Sequence, residues 1–357
     1  MFLKHLFKNI YPRLDWIQVE ISSLCDGKCI YCPHTEYSDN WQNRLLPIEL
    51  YKNIIPAFSR TKLVHLQGWG EPFTHPQFAD FLRSAKKADC MVGTITNGTM
   101  LNSEKIRKLV DENLDIICFS LAGIDEKNDS IRKGTQIKRV LKCIEEIHRI
   151  RNSHSVDNPR IHIAYMLLRS GLNDVDKIPV FLENAGISHT VISSLSLPVN
   201  QDMEKESVIA SDDKEFLELV DMFHEIEMDA ERRGTEISFH IVSPLMKESF
   251  CTENVGRALV MGSDGSISPC VMGQIPVSGD NFHYFGGNRH KIEKLLFGNI
   301  ADELLNSIWN KKEYKNFIRV LARGRSAPFC QNCLKRFIMD LQSESVSFLD
   351  YIGRSFL

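Results

Sequence analysis

Along the first two hundred residues the hydrophobic pattern switches repeatedly between a period of two and a period near 3.6. WIQVEIS (16–22) alternates apolar with polar, as a strand does. IELYKNIIPAF (48–58) reads as a helix, KLVHLQG (62–68) as a short apolar strand and HPQFADFLRSAKKA (75–88) as a helix. MVGTIT (91–96) and DIICFSL (115–121) are strands flanking a helix led by Ser103. IKRVLKCIEEIHRIR sets Ile137, Val140, Leu141, Ile144 and Ile147 on one helical face. IHIAYMLL (161–168) and HTVISSL (189–195) are two more strands, with a helix near 174–185 between them. Strands separated by helices predict a parallel sheet with crossover connections. Periodicity by itself leaves an α/β barrel and an open sheet both possible, and a barrel fits better.

The texture then changes. Residues 197–211 are polar and read as a connector, followed by a helix over about 212–233. EISFHIV, RALVMG and SISPCVM are short strands, and the turn Ser263-Asp264-Gly265-Ser266 predicts a hairpin between the last two. ADELLNSIWN and KEYKNFIRVLARG look helical. This divides the chain into an N-terminal segment (1–14), a core (15–200), a connector and helix (201–235), a smaller α+β domain (236–335) and a tail (336–357). The basic, partly apolar start predicts an amphipathic helix and lacks the apolar core and cleavage site of a signal peptide.

Charge narrows the function classes. With 43 Lys and Arg against 46 Asp and Glu, the net charge of -3 gives no electrostatic case for nucleic acid or an anionic membrane. No apolar run reaches the length of a membrane span. We expect a cytoplasmic protein. The 10 cysteines are then poor candidates for a disulfide framework. Cys90, Cys118 and Cys143 stand alone in apolar surroundings and are expected in the core.

The other seven fall in motifs. LCDGKCIYCPH sets Cys25, Cys29 and Cys32 at the spacing C-x3-C-x2-C, directly after the first strand. A cubic iron–sulfur cluster usually takes four thiolates, so three leave one iron open to a ligand from outside the protein. A zinc site would need a fourth ligand, for which His34 is available, but zinc favours paired C-x2-C units. The loop resembles the signature of the radical S-adenosylmethionine (SAM) enzymes, C-x3-C-x-Φ-C, with Tyr31 as the aromatic residue. The resemblance covers about 15–200 in motifs and element order. It implies a partial (β/α)6 TIM-like barrel and a [4Fe-4S] cluster whose open iron is chelated by SAM. It also implies reductive cleavage of SAM to a 5′-deoxyadenosyl radical that abstracts hydrogen from a substrate.

The same resemblance assigns cofactor-binding residues at later strand ends. GWGEP (68–72) looks like the family's G-E-P element, with Gly70 and Glu71 toward the SAM ammonium. Asn97, in TITNGT, matches a frequent family turn, and Ser120, in FSLAG, a common SAM contact. Arg132, in NDSIRKGT, would pair with the SAM carboxylate, and Tyr31 would lie against adenine. Taken singly, each has a bland alternative as a cap, turn, buried hydroxyl or surface charge.

Cys251, Gly265, Cys270 and the pair Cys330/Cys333 follow C-x13-G-x4-C, a gap, then C-x2-C. This resembles the twitch domain, the short form of the SPASM domain, as does FGNIADELLNSIWN. It implies one auxiliary iron–sulfur cluster, expected to be [4Fe-4S] and closed by four thiolates; a four-cysteine zinc site is the alternative. No cysteine follows Cys333, so a second auxiliary cluster is not expected. The expected chemistry is oxidation or cross-linking of a biosynthetic intermediate, a peptide or a partner protein, with electrons from a flavodoxin or ferredoxin. The segment before Trp16 is short for a leader-binding domain, which weakens the peptide reading. Glu20, His65, Gln67, His162, Tyr165 and His240 could offer a general base, and none is singled out. The competing readings are an electron carrier or cluster scaffold that leaves SAM intact, and a zinc-stabilised binding module.

Overall fold

The computed structural model describes residues 11–242 and 251–340. The expected N-terminal helix and C-terminal tail therefore lie, over 1–10 and 341–357, outside the described residues. Six strands form where the alternation predicts them: β1 (Leu14–Val19), β2 (Thr61–Leu66), β3 (Met91–Thr96), β4 (Ile116–Leu121), β5 (Arg160–Leu167) and β6 (His189–Ser194). Neighbours in this series pair parallel. The helices between them include α1 (Pro33–Glu36), α2 (Ile48–Lys52), α3 (Phe78–Lys86), α4 (Ser103–Asp111), α5 (Glu126–Ile131), α6 (Ile137–His154) and α7 (Ile178–Ala185).

Both faces of the sheet are buried, as crossover helices require. Ile17, Val64, Val92, Ile117 and Phe119 face the helix layer with Phe81, Leu109, Val140 and Ile144. On the opposite face Trp16, Leu63, Ile116 and Ala258 form a separate apolar plug. Cys90, Cys118 and Cys143 are buried, as expected of core thiols.

Several elements depart from the pattern. The helix at 48–58 stops at Lys52 and resumes as a 3-10 turn, Ile55–Arg60, because Pro56 cannot continue the hydrogen-bond ladder. The segment near 174–185 is 3-10 up to Lys177 before α7 begins. The polar connector contains a short helix, α8 (Gln201–Glu206), capped by the Asn200 side chain on the Met203 amide. The long helix α9 (Asp213–Arg232) follows.

The C-terminal part is grafted onto the same sheet. Glu236–Val242 (β7), read by pattern as part of the second domain, pairs parallel with β6. Ala258–Met261 (β8) pairs parallel with the free edge of β1, and antiparallel with Ser266–Ser268 (β9) through the expected hairpin. Gly265 sits in that turn at φ +81, a conformation glycine adopts without strain. The structure adds a hairpin, Asn281–Phe285 (β10) and Asn288–Ile292 (β11), turned by Gly286-Gly287, both at positive φ. Gly298–Asn299 (β12) and Ile338–Asp340 (β13) are the outer strands of an eleven-stranded sheet, ordered β12-β9-β8-β1-β2-β3-β4-β5-β6-β7-β13. It ends in two edges, so the barrel is partial. Helices α10 (Leu305–Trp309) and α11 (Lys312–Ala322) complete the smaller part.

Candidate active site and auxiliary cysteine site

The ends of β1 to β6 converge on one cleft, with about 940 Å³ of empty space opening to solvent. Its floor is the three-cysteine loop. Lys28–Cys29 forms a two-residue antiparallel ladder with Arg132–Lys133, and the Ile30 amide donates to the Ile131 carbonyl at 3.0 Å. This ladder brings Arg132, a hundred residues away in sequence, beside the thiols. Cys32 caps α1, its carbonyl accepting the Thr35 and Glu36 amides at 3.0 and 3.2 Å. The Gly27 amide donates to Cys25 Sγ at 3.4 Å.

Burial pushes the Cys32 thiol up to about 12, and burial also raises that of Cys25. Cys25 lies within electrostatic range of Cys32 and Cys29, so the three converge. Metal ligation needs thiolates, and metal charge would offset this cost. Burial opposes the Arg132 charge, but Cys29, Tyr31 and Cys25 outweigh it and raise its pKa. Arg132 Nη1 donates to the Tyr31 hydroxyl, while its buried Nε has no partner among the described residues.

The second wall is GWGEP. A Cβ on Gly70 would sit 2.5 Å from the Leu24 and Ser22 carbonyl oxygens, and one on Gly68 2.3 Å from Glu20 Cγ, so both positions need glycine. The Glu71 carboxylate accepts the Thr96 hydroxyl and Asn97 amide at 2.8 Å and the Phe73 amide at 3.2 Å. Burial pushes it up to about 7. Asn97 Nδ2 donates to Asp26 at 2.9 Å and lies 4.0 Å from Cys25 Sγ. Ser120, at the end of β4, lines the same cleft.

The cleft thus brings together Cys25, Cys29, Cys32, Tyr31, Gly70, Glu71, Asn97, Ser120 and Arg132. It also contains apolar residues that spacing did not single out: Trp69, Ile95, Met166, Leu195, Leu197 and Met272. Met272 comes from the smaller part of the chain, so only tertiary contact could place it. Trp69 ties the two parts together, its Nε1 donating to the Val271 carbonyl at 3.2 Å. Its amide donates to Glu20 Oε1 at 2.8 Å, and Glu20 Oε2 accepts the Ser263 hydroxyl at 2.9 Å. Glu20, His65, Gln67, His162, Tyr165 and His240 are all buried but are not among the residues lining the cleft. His34 packs edge-on against Trp41, ring centres 5.0 Å apart, and does not line it either.

Beside the cleft, where Ser196, Leu197 and Met272 also line a second pocket that reaches Cys333, the residues Cys251, Cys270, Cys330 and Cys333 converge. Cys251 lies within electrostatic range of Cys333 and Cys330, and Cys270 within range of Cys251 and Cys333. Backbone hydrogen bonds fold the chain tightly around them: the Gly273 amide donates to the Cys270 carbonyl at 3.2 Å, the Cys333 amide to the Cys330 carbonyl at 3.3 Å and the Arg336 amide to the Cys333 carbonyl at 3.2 Å. Among the described residues no three His, Cys, Asp or Glu side chains close on a point tightly enough for a single metal ion. The donors in both cysteine sets are all thiols, a donor set that fits iron–sulfur clusters.

Comparison with known proteins agrees. The model of the Radical SAM superfamily matches residues 19–168, and that of SPASM, an iron–sulfur cluster-binding domain, matches 251–334. A tungsten-containing aldehyde ferredoxin oxidoreductase cofactor-modifying protein of Pyrococcus furiosus is 23% identical over 340 residues, 92% of this chain and 89% of that one. The Fe-coproporphyrin III synthase of Methanosarcina barkeri is 25% identical over 328 residues, 85% and 78% of the two chains. Among solved structures, Streptococcus suis SuiB bound to S-adenosylmethionine superposes with a TM-score of 0.62 at 16% identity, covering 94% of this chain and 74% of SuiB. The structure of anSMEcpe with bound AdoMet and a Cp18Cys peptide gives 0.63 at 16%, covering 97% and 95%. These superpositions establish the fold. The first matched domain implies a [4Fe-4S] cluster and SAM, and the second an auxiliary iron–sulfur cluster. The chain belongs to the radical SAM superfamily and is a radical SAM enzyme with a C-terminal SPASM domain.

Proposed function

We propose that this enzyme binds SAM in the barrel cleft, cleaves it reductively and abstracts hydrogen from a substrate held between the barrel and Met272. The observation that carries the reading is Arg132: a buried cation with an unpartnered Nε, laddered to the loop that holds the three thiols. When bound, the cluster supplies the electron that breaks the sulfonium S–C5′ bond and yields a 5′-deoxyadenosyl radical. The residues divide the remaining work. Cys25, Cys29 and Cys32 hold the cluster and leave one iron to SAM. Arg132 offers its guanidinium to the SAM carboxylate, and Tyr31, anchored by Arg132, backs the adenine. Glu71 already serves three donors of the protein, so the backbone of 68–71 meets the ammonium and the carboxylate adds negative charge behind it. Asn97 steadies the loop through Asp26, and Ser120 contacts SAM from β4.

The product is an oxidised or cross-linked biosynthetic intermediate, peptide or partner protein. Names among the relatives favour cofactor or tetrapyrrole substrates, while the peptide bound to anSMEcpe favours peptides. The electron donor is a flavodoxin or ferredoxin, and the setting cytoplasmic; no helix among the described residues is long and apolar enough to cross a membrane.

Anaerobically reconstituted protein, reduced with dithionite, is expected to convert SAM to 5′-deoxyadenosine, measured by chromatography. Cys29→Ala is expected to lower this at least about 100-fold while the auxiliary iron remains. Wild-type protein that holds iron and leaves SAM intact would mark it as a carrier or scaffold.

A further inference from the structure

The auxiliary site contains a charge pair that four-cysteine ligation does not require. Two of its cysteines are followed, two residues on, by a charged residue: Cys251-Thr252-Glu253 and Cys333-Leu334-Lys335. Glu253 and Lys335 lie 3.0 Å apart with side chains 3% and 2% exposed. No other ion pair given for the described residues has both partners this deeply buried. Removing two ions from water costs several kcal/mol each before their attraction is recovered, and an apolar pair would link the two segments at less cost. Fastening the chain is therefore a poor explanation for the pair.

Its placement suggests a better one. Each of the two residues stands two positions after a cysteine of the site, so both side chains leave from backbone beside a ligand sulfur. The Glu253 carboxylate reaches Cys251 and Cys270 electrostatically; at Cys333 the Lys335 cation outweighs it, and Cys330 and Cys333 also feel Arg336. A fixed negative charge thus faces two of the four thiols, and Lys335 is the cation that makes its burial tolerable. Reduction adds negative charge to a cluster, and in a low-dielectric interior a nearby carboxylate opposes that.

We propose that Glu253, held by Lys335, is a positioning residue that keeps the reduction potential of the auxiliary cluster low. This rests on Cys251, Cys270, Cys330 and Cys333 ligating an iron–sulfur cluster. The charge fixes how readily the site takes up one electron, whatever the substrate.

The test is potentiometric titration of the full chain, followed by EPR. The auxiliary signal is identified in a chain carrying Cys25→Ala, Cys29→Ala and Cys32→Ala. Glu253→Gln, which leaves the Lys335 cation alone, is expected to give the most positive midpoint. The double variant Glu253→Gln/Lys335→Gln, in which two amides can still hydrogen-bond, is expected to fall between it and wild type. If Glu253→Gln does not retain iron, Glu253→Asp reads the same effect: a smaller positive shift supports the proposal and an unmoved midpoint overturns it. Wild-type midpoints in variants with full iron content overturn it too. So does partial iron loss with an unmoved midpoint in the remaining cluster, which would make the pair a structural latch. Failure of the cluster reading itself is distinguishable, because wild-type protein would then hold no iron at these four cysteines before any variant is made.

Discussion

Arg132 is among the most constrained side chains in the cleft. It is buried, hydrogen-bonded to Tyr31, and fixed through its backbone to Cys29. A charge-assisted contact to a carboxylate is worth about 1.5–3 kcal/mol. Arg132→Gln is therefore expected to weaken SAM binding roughly 10–100-fold, read by equilibrium binding, with the iron content of both sites unchanged. The glycines were legible at this scale for a different reason. Gly68 and Gly70 stand where β2 ends against the end of β1, and any Cβ there would meet Glu20 or main-chain atoms. Trp69, between them, carries no motif weight of its own; its role shows only in its bonds to Val271 and Glu20.

Among the elements, α9 shows how a helix can be read correctly and still contain a surprise. Asp212 accepts the Glu215 amide at 2.8 Å and fixes its start, and Leu219, Phe223, Ile226 and Ala230 form its buried stripe. Glu227 borders that stripe with a side chain only 15% exposed, and burial pushes its carboxyl up to about 7 from the usual 4.5. The folded state therefore holds a proton that the unfolded chain releases near 4.5, and stability falls as pH rises from about 4.5 through 7. Glu227→Gln is expected to match wild type near pH 5 and to exceed it by about 2 kcal/mol at pH 8, read from denaturant melts at both values. The hairpin β10–β11 is the opposite case. Its strands are five residues each, β10 (NFHYF) bunching its aromatics and β11 (NRHKI) mostly polar, so the alternation is weak, and it is held from outside: the Tyr37 hydroxyl donates to the Phe282 carbonyl and accepts its amide, both at 2.9 Å.

For the whole molecule, the smaller part and the barrel share one sheet. β8 covers the edge of β1 with parallel hydrogen bonds, and Ala258 completes the apolar plug with Trp16, Leu63 and Ile116. An open strand edge is an aggregation surface. A chain ending at Val242 is expected to lose cooperative melting or to melt at least about 10 °C lower, read by calorimetry and by sedimentation of aggregates. The same continuity sets Met272 in the lining of the barrel cleft while Cys270, two residues earlier, lies with Cys251 and Cys333.

The sequence by itself determined the alternation of strands and helices, the family and both cysteine sets. Each of these is local: a period, a spacing or a turn residue survives in one dimension because neighbours in the chain remain neighbours in the fold. Tertiary structure alone decided that Arg132 would lie against Cys29, that β7 and β8 would extend the barrel sheet instead of forming a separate one, and that Glu253 would find Lys335 in the interior. Those contacts join residues tens to hundreds of positions apart, and they form only once the strands pair and their ends are drawn into one cleft.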